Sequence, residues 1–306
     1  MYKFYLVFGW ILTIMSIILS GCFHGTTYYY RPKADTTKIA YSYQKIAQMS
    51  GDIKESSGIV VVQDSLLLTH SDSGNLPFLY LINKQGELKK KFYVRNAHAL
   101  DWEAIACAEN EIYIADVGNN ALQRKQFCIY VIPMSLEKDT LEPTQKIVYV
   151  YPDQRNYPKH RNHDAEAILC VKPYLYIFTK NYRIKGTDVY RIRIDKDSVQ
   201  AAMWLAHSYL DSYVTDVAYH SDKKEIALLT YGFVYLYQTQ LDSSLFKGAH
   251  LTVRLRIPLS QTEAITYIDR NTLLITNEKG KLFQLSLSYK RRWNIFHDCC
   301  SGIGLF

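Results

Sequence analysis

The sequence predicts an all-β protein, a single β-propeller of five four-stranded blades. Three observations carry that prediction: a motif that recurs five times without gaps, short strand-like runs after each copy, and a tyrosine-rich composition. The copies are Glu55-Ser-Ser57-Gly-Ile-Val, Asp101-Trp-Glu103-Ala-Ile-Ala, Asp164-Ala-Glu166-Ala-Ile-Leu, Val214-Thr-Asp216-Val-Ala-Tyr and Gln261-Thr-Glu263-Ala-Ile-Thr. Their third positions are spaced by 46, 63, 50 and 47 residues, close to the roughly 40–50 residues that one blade requires. Tyrosine supplies 26 of 306 residues and hydrophobic residues 48%, which favours strands and allows a sizeable core.

Within each unit a second strand is expected at Leu66–His70, Glu111–Ala115, Tyr174–Thr179, Ile226–Thr230 and Thr272–Thr276. A third is expected at Phe78–Ile82, Phe127–Ile132, Asp188–Ile194, Phe233–Gln238 and Lys281–Leu287. These runs mix apolar alternation with continuous β-branched stretches, as buried strands do. A fourth strand follows in four units, at Leu88–Val94, Lys146–Tyr151, Ala201–His207 and Leu251–Ile257. The fifth unit lacks one, and Ile39–Gln48 is strand-like without a unit of its own. That segment is therefore expected to complete the fifth blade and close the ring, which removes exposed edges. A sixth blade hidden in the 63-residue unit is the alternative.

Residues 1–21 read as a lipoprotein signal peptide. Lys3 precedes an uncharged apolar run from Phe4 to Leu19, and Leu19-Ser-Gly-Cys22 resembles the bacterial lipobox,. The resemblance implies a diacylglycerol on the Cys22 thiol and cleavage just before it. The run is short for a membrane span, which takes about 20 residues. Residues 22–38 read as the lipidated cysteine and a polar tether, 39–290 as the propeller, and 291–306 as a C-terminal tail. The expected location is extracytoplasmic, anchored to a bacterial membrane. Phe23 after the cysteine, where aspartate would signal inner-membrane retention in some bacteria, favours the outer membrane.

The formal charge of +7 becomes +6 without Lys3, spread over triplets such as Lys89–Lys91, Lys159–Arg161 and Lys290–Arg292. Scattered triplets do not make the continuous basic face of a nucleic-acid binder, and a monomer bound to a membrane through its lipid is expected. Cys107, Cys128 and Cys170 read as small core residues, and the roles of Cys299 and Cys300 stay open. No zinc-type cysteine spacing occurs,. His160 and His163 sit in a basic polar loop and read as solvated.

Residues that begin the first strand of each blade gather at one mouth of a propeller's channel. The recurring position places Glu103, Glu166, Asp216 and Glu263 there, with Ser57 in the first blade. Converging carboxylates raise one another's pKa unless something neutralises them. Oxygen-only ligands suit a hard cation such as Ca²⁺. Hydrogen bonds that lock one blade to the next, or acid/base catalysis, are the other roles open to these residues. A second set of candidates lies in the loops after the second strands: Asp72 and Asn75, Asp116, Asn119 and Asn120, Lys180, Tyr231 and Glu278. Their Asp-x-Gly-Asn pattern is also turn chemistry, because Gly and Asn accept positive φ. Lys180 is the cation of this set, and Arg124 follows the second loop. Asp101 and Asp164 open two of the motif copies and complete the candidate ligand set.

Taken together, Asp72-Ser-Gly-Asn75, Asp101-Trp-Glu103-Ala-Ile-Ala, Asp116-Val-Gly-Asn119-Asn120, Asp164-Ala-Glu166-Ala-Ile, Phe178-Thr-Lys180, Val189-Tyr-Arg191, Leu229-Thr-Tyr231 and Gln261-Thr-Glu263-Ala-Ile resemble one group of bacterial secreted propellers. That group is similar to the phytase-like esterase propellers and the SdiA-regulated lipoproteins. The resemblance runs from about Glu55 to Glu278 and implies a propeller outside the cytoplasm. This chain departs from the group at Thr262, where glycine is usual, and at Tyr151-Pro-Asp-Gln154, where a Pro-Asp-Gly turn is common. Two functions remain open at this stage. One is an envelope lipoprotein whose mouth binds a cation and a small-molecule or protein ligand. The other is a Ca²⁺-dependent hydrolase of phosphoesters or esters, for which no nucleophile stands out.

Overall fold

The computed structural model describes residues 28–30, 39–53, 55–63, 66–72, 74–155, 163–181, 185–239 and 250–289. Cys22 and the signal peptide, the tail with Cys299 and Cys300, and His160 lie outside them. Five antiparallel sheets stand around one axis as the blades of a propeller. Blade one comprises Ser56–Gln63, Leu66–Ser71, Phe78–Asn83 and Leu88–Val94. Blade two comprises Trp102–Ala108, Glu111–Asp116, Phe127–Pro133 and Gln145–Val150. Blade three comprises Ala165–Val171, Tyr174–Thr179, Gly186–Arg193 and Met203–Tyr209. Blade four comprises Val214–His220, Glu225–Thr230, Phe233–Gln238 and His250–Arg256. Blade five takes Thr262–Asp269, Thr272–Asn277 and Lys281–Tyr289 from the C-terminal end and Ile39–Gln48 from the N-terminal end.

Burial explains why these runs take these places. The first strands are buried over most of their length, as in Trp102–Ala108. The outer strand Leu88–Val94 alternates exposed and covered positions at its lysines and Phe92, the period-two pattern of a half-solvated strand. Each pair of neighbouring blades encloses its own apolar wedge. Phe92, Trp102 and Tyr130 fill the one between blades one and two. Tyr113, Ile168 and Tyr190 fill the next, followed by Phe178, Leu228 and Tyr235 between three and four. Ile39, Leu255 and Leu285 pack between four and five. The last wedge, with Ile59, Tyr80 and Leu274, joins blade five back to blade one and closes the ring. Cys128 and Cys170 are buried among these residues and Cys107 is half-buried, all three as free thiols.

Three short strands lie outside the four-strand plan. Thr140–Leu141 leaves blade two to pair in parallel with Tyr93–Val94 of blade one. Gln200–Ala201 leaves blade three and pairs in parallel with Tyr149–Val150 of blade two. The expected fourth strand Ala201–His207 accordingly begins later, at Met203. The long second unit holds Thr140–Leu141 and a 3-10 turn, Pro152–Arg155, in place of a sixth blade. The third strand, Tyr28–Tyr30, pairs antiparallel with Ile39–Tyr41. Part of the segment expected to be a plain tether therefore covers the outer edge of blade five. Among the described residues no helix is long and apolar enough to cross a membrane.

Candidate functional site

Each blade begins with a one-residue irregularity in its first hairpin. The register jumps between Ser56 and Gly58, Trp102 and Ala104, Ala165 and Ala167, Val214 and Asp216, and Thr262 and Ala264. The extra residue has no partner across the hairpin, and such bulges turn a side chain out of the sheet's alternation. Those residues are Ser57, Glu103, Glu166, Thr215 and Glu263. They stand on first strands that contact one another in sequence around the axis, from blade one to five and back to one.

Blade four corrects the sequence alignment. The motif matched Asp216 to the glutamates, but the bulged residue there is Thr215. Asp216 occupies the slot held elsewhere by Gly58, Ala104, Ala167 and Ala264. From it, one carboxylate oxygen accepts the Val217 N–H at 2.7 Å and the other accepts the Ile265 N–H of blade five at 2.7 Å. Asp216 therefore locks blade four to blade five, with both carboxylate oxygens taken by backbone amides. Burial still raises its pKa well above the usual carboxylate range, against the lowering effect of both amides. Two hydroxyls at bulges also bind across blades: Ser57 donates to the Glu103 carbonyl at 3.3 Å, and Thr215 to the Thr262 carbonyl at 2.7 Å.

Three carboxylates meet on the side of blades one and two. Asp72, Asp101 and Glu103 each offer an oxygen, and these oxygens lie within 4.8 Å of one another. Asp72 leaves the second strand of blade one, its N–H held by the Glu55 carbonyl at 2.9 Å. Asp101 precedes blade two, and its N–H binds Asp116 at 3.1 Å. Glu103 comes from the bulge and is 5% exposed. Burial first, then the charges of Glu166, Asp72, Asp101 and Asp164, push its pKa well up. Burial and Asp72 raise Asp101 too, against the opposing charge of Arg124. Like charges about 5 Å apart repel by roughly 3 kcal/mol at an effective dielectric of about 20, so the triad needs a proton or a cation.

Gly118 is the wall of this triad. A Cβ there would lie 2.3 Å from Asp101 Oδ2 and 2.6 Å from Glu103 Oε1. Its glycine is required by close approach, since its φ is not in the left-handed region, whereas Gly74 in the neighbouring loop does take a φ of +74°. Behind Gly58, the buried His70 ring holds the Ser71 carbonyl through Nδ1 at 2.9 Å. Burial lowers its pKa and keeps it neutral.

A second group, on blades three to five, begins beside Glu103, where the first strands of blades two and three are in contact. Lys180 donates to Glu166 Oε2 at 3.1 Å, and its ammonium sits 5.5 Å from the centre of the Tyr231 ring. Tyr231 donates to Glu263 Oε1 at 2.8 Å. Burial lifts the Glu263 pKa to about 7, although Lys180 and the Tyr231 hydroxyl pull it down. Glu278 is raised by burial and by the charges of Glu55 and Asp72. Glu166 is raised most by burial, with Lys180 opposing. Its second oxygen, Oε1, is buried and has no hydrogen-bond partner.

Other candidates serve the scaffold. Arg124 turns back on its own loop, pairing with Asp116 at 2.9 Å and donating to the Gly118 carbonyl at 2.9 Å. Asn119 joins blades two and three: its N–H binds Asp164 Oδ1 at 2.5 Å and its amide donates to the His163 carbonyl at 3.1 Å. Asn75 donates to the Asp72 carbonyl at 2.9 Å and shapes that turn. Asn120 is exposed. His163, expected to be solvated, is fully buried, with Nε2 on Asp153 at 3.0 Å and its ring against Tyr151 and Tyr190. A cleft of about 390 Å³ adjoins the mouth between blades five and one, bordered by Met49, Ile53, Glu55 and Glu278.

No known family model matches the chain. No curated protein matches it either. Solved structures do. The PQQ-bound aldose sugar dehydrogenase of Streptomyces coelicolor is 8% identical, covers 84% of this chain and all of its own, and gives a TM-score of 0.51. A protein of unknown function from Bacteroides thetaiotaomicron is 9% identical over 82% of this chain and 76% of its own, with a TM-score of 0.47. At such identity the first likeness speaks for the β-propeller fold alone.

Proposed function

We propose that the protein is an extracytoplasmic lipoprotein, anchored through Cys22, whose propeller mouth binds a hard divalent cation and through it a ligand. The observation that supports the cation is the meeting of Asp72, Asp101 and Glu103 within 4.8 Å against Gly118. Three carboxylates with carbonyl and water oxygens make the oxygen-only environment that Ca²⁺ takes. The wrapped, partly buried geometry lowers the dielectric and strengthens the attraction. Ligand binding is favoured over phosphoester hydrolysis because the hydroxyls of Ser57 and Thr215 are donors to neighbouring blades. Ser57 also reaches the Glu103 carboxylate, at 3.3 Å, but that carboxylate is one of the three oxygen donors offered to the cation, and Thr215 has no base beside it.

Calcium at about a hundred times its Kd should add roughly 2.7 kcal/mol. In a domain of this size that raises Tm by roughly 5–10 °C. Thermal unfolding with calcium or a chelator measures it. Asp101→Asn and Glu103→Gln should each remove most of the shift. Equal melting temperatures with calcium and with chelator would eliminate the cation site.

The anchor has its own test. Cys22→Ser should abolish incorporation of labelled fatty acid, because the thiol is the acyl acceptor and more than one chain is needed for stable anchoring. Labelling that persists in this variant removes the anchor.

A further inference from the structure

We infer that the ligand at this mouth is a neutral polyol, a sugar or cyclitol whose neighbouring hydroxyls bridge the cation at Asp72, Asp101 and Glu103 to Oε1 of Glu166. This rests on the cation reading above and adds the chemical class of the ligand. Glu166 is 4% exposed, its Oε2 takes the Lys180 ammonium, and its Oε1 takes nothing. A buried carboxylate oxygen without a donor is destabilising. The missing partner is a hydrogen-bond donor that enters through the mouth.

Charge decides which donor. With a divalent cation in place, the four carboxylates Asp72, Asp101, Glu103 and Glu166 face three positive charges, one of them Lys180, and Asp164 and Glu263 add negative charge beside Glu166. The site then keeps an acidic excess. A phosphate or carboxylate would bring further negative charge beside Glu103 and Glu166, whose charges already oppose each other. An ammonium would meet both the cation and Lys180. A hydroxyl meets neither penalty. Its oxygen has lone pairs for the cation, and its proton is the donor that Glu166 Oε1 lacks. Two hydroxyls on adjacent carbons can share one cation, and Gly118 keeps the approach to Asp101 and Glu103 free of a side chain.

The test is calorimetric titration of the full-length protein in detergent at saturating calcium. The probes are methyl α-mannoside, methyl β-galactoside, myo-inositol and the monophosphates of each. At least one neutral probe should saturate, lose binding when calcium is chelated, and bind about tenfold or more weakly to Glu166→Gln. The glutamine keeps an acceptor for Lys180 but turns an N–H₂ donor toward the ligand. Monophosphates that bind more tightly than their neutral parents overturn the inference. So does calcium binding with no response to any neutral probe, or neutral binding that needs no calcium. A protein that takes up no calcium at all fails the cation reading first, and the calcium titration alone shows it.

Discussion

Removal of Ile39–Gln48 is expected to convert a closed ring into an aggregating chain. The segment pairs along its length with Lys281–Tyr289, from Ile39 opposite Tyr289 to Gln48 opposite Lys281. Without it the third strand of blade five becomes an open edge, a template for pairing with other chains. The apolar wedge between blades four and five loses Ile39 and Tyr41, which are 0% and 4% exposed. It also loses the stacking of Tyr43 on Phe283 and the hydrogen bond from the Tyr41 hydroxyl to the Arg256 carbonyl at 2.8 Å. Ile39→Ala alone should cost about 2–4 kcal/mol as a buried cavity. Against a total stability of roughly 5–15 kcal/mol, the whole strand exceeds what the fold can lose. Size-exclusion chromatography and thermal unfolding report the outcome. A deletion variant that stays soluble and melts within a few degrees of the parent would disprove closure by this strand.

The ring and its closure were legible because each blade repeats short runs at one period, and because one strand-like run stood without a unit. The two-residue strands Thr140–Leu141 and Gln200–Ala201 were not legible. A pair of residues has no periodicity, and their parallel partners lie on another blade. The mouth was legible in part. Glu103, Glu166 and Glu263 came from the repeat, and Asp72, Asp101, Lys180 and Tyr231 from the loops beside it. Asp216 was misplaced because acids were matched to acids. The true register follows the small residue after the bulge, and in blade four that slot is filled by Asp216 itself. A hydroxyl at Thr215, like that of Ser57, was the signal available. Gly118 read as a turn glycine because close approach to Asp101 and Glu103 is a property of distant residues. His163 was misread from its basic neighbours in sequence, while its actual neighbours are Tyr151, Asp153 and Tyr190.

Glu263→Gln is expected to stabilise the cation-free protein at about pH 8 and to change little at about pH 4. The sign follows from the direction of the shift. Folding raises Glu263 from its ordinary 4.5 to about 7, chiefly by burial. Below 4.5 the side chain is protonated in both the folded and unfolded states and contributes no difference. Between 4.5 and 7 the folded state holds more protons, so stability falls as pH rises, and above 7 the loss is complete. For this one group the loss is on the order of 3 kcal/mol. Glu103 and Glu166 shift in the same direction. His70 works against them, because burial lowers its pKa and folding then favours release of its proton. Exposed carboxylates held down by their partners, such as Asp195 beside Arg193, act at lower pH and leave this window clear. The difference between the parent and Glu263→Gln therefore isolates the glutamate from His70. Glutamine retains an acceptor for the Tyr231 hydroxyl, so that hydrogen bond survives the change. Denaturant unfolding of both proteins across this range, in chelator, measures the difference directly. A gap that is constant with pH would show that Lys180 cancels the burial of Glu263, and a variant less stable than the parent at about pH 8 would show that Lys180 outweighs it.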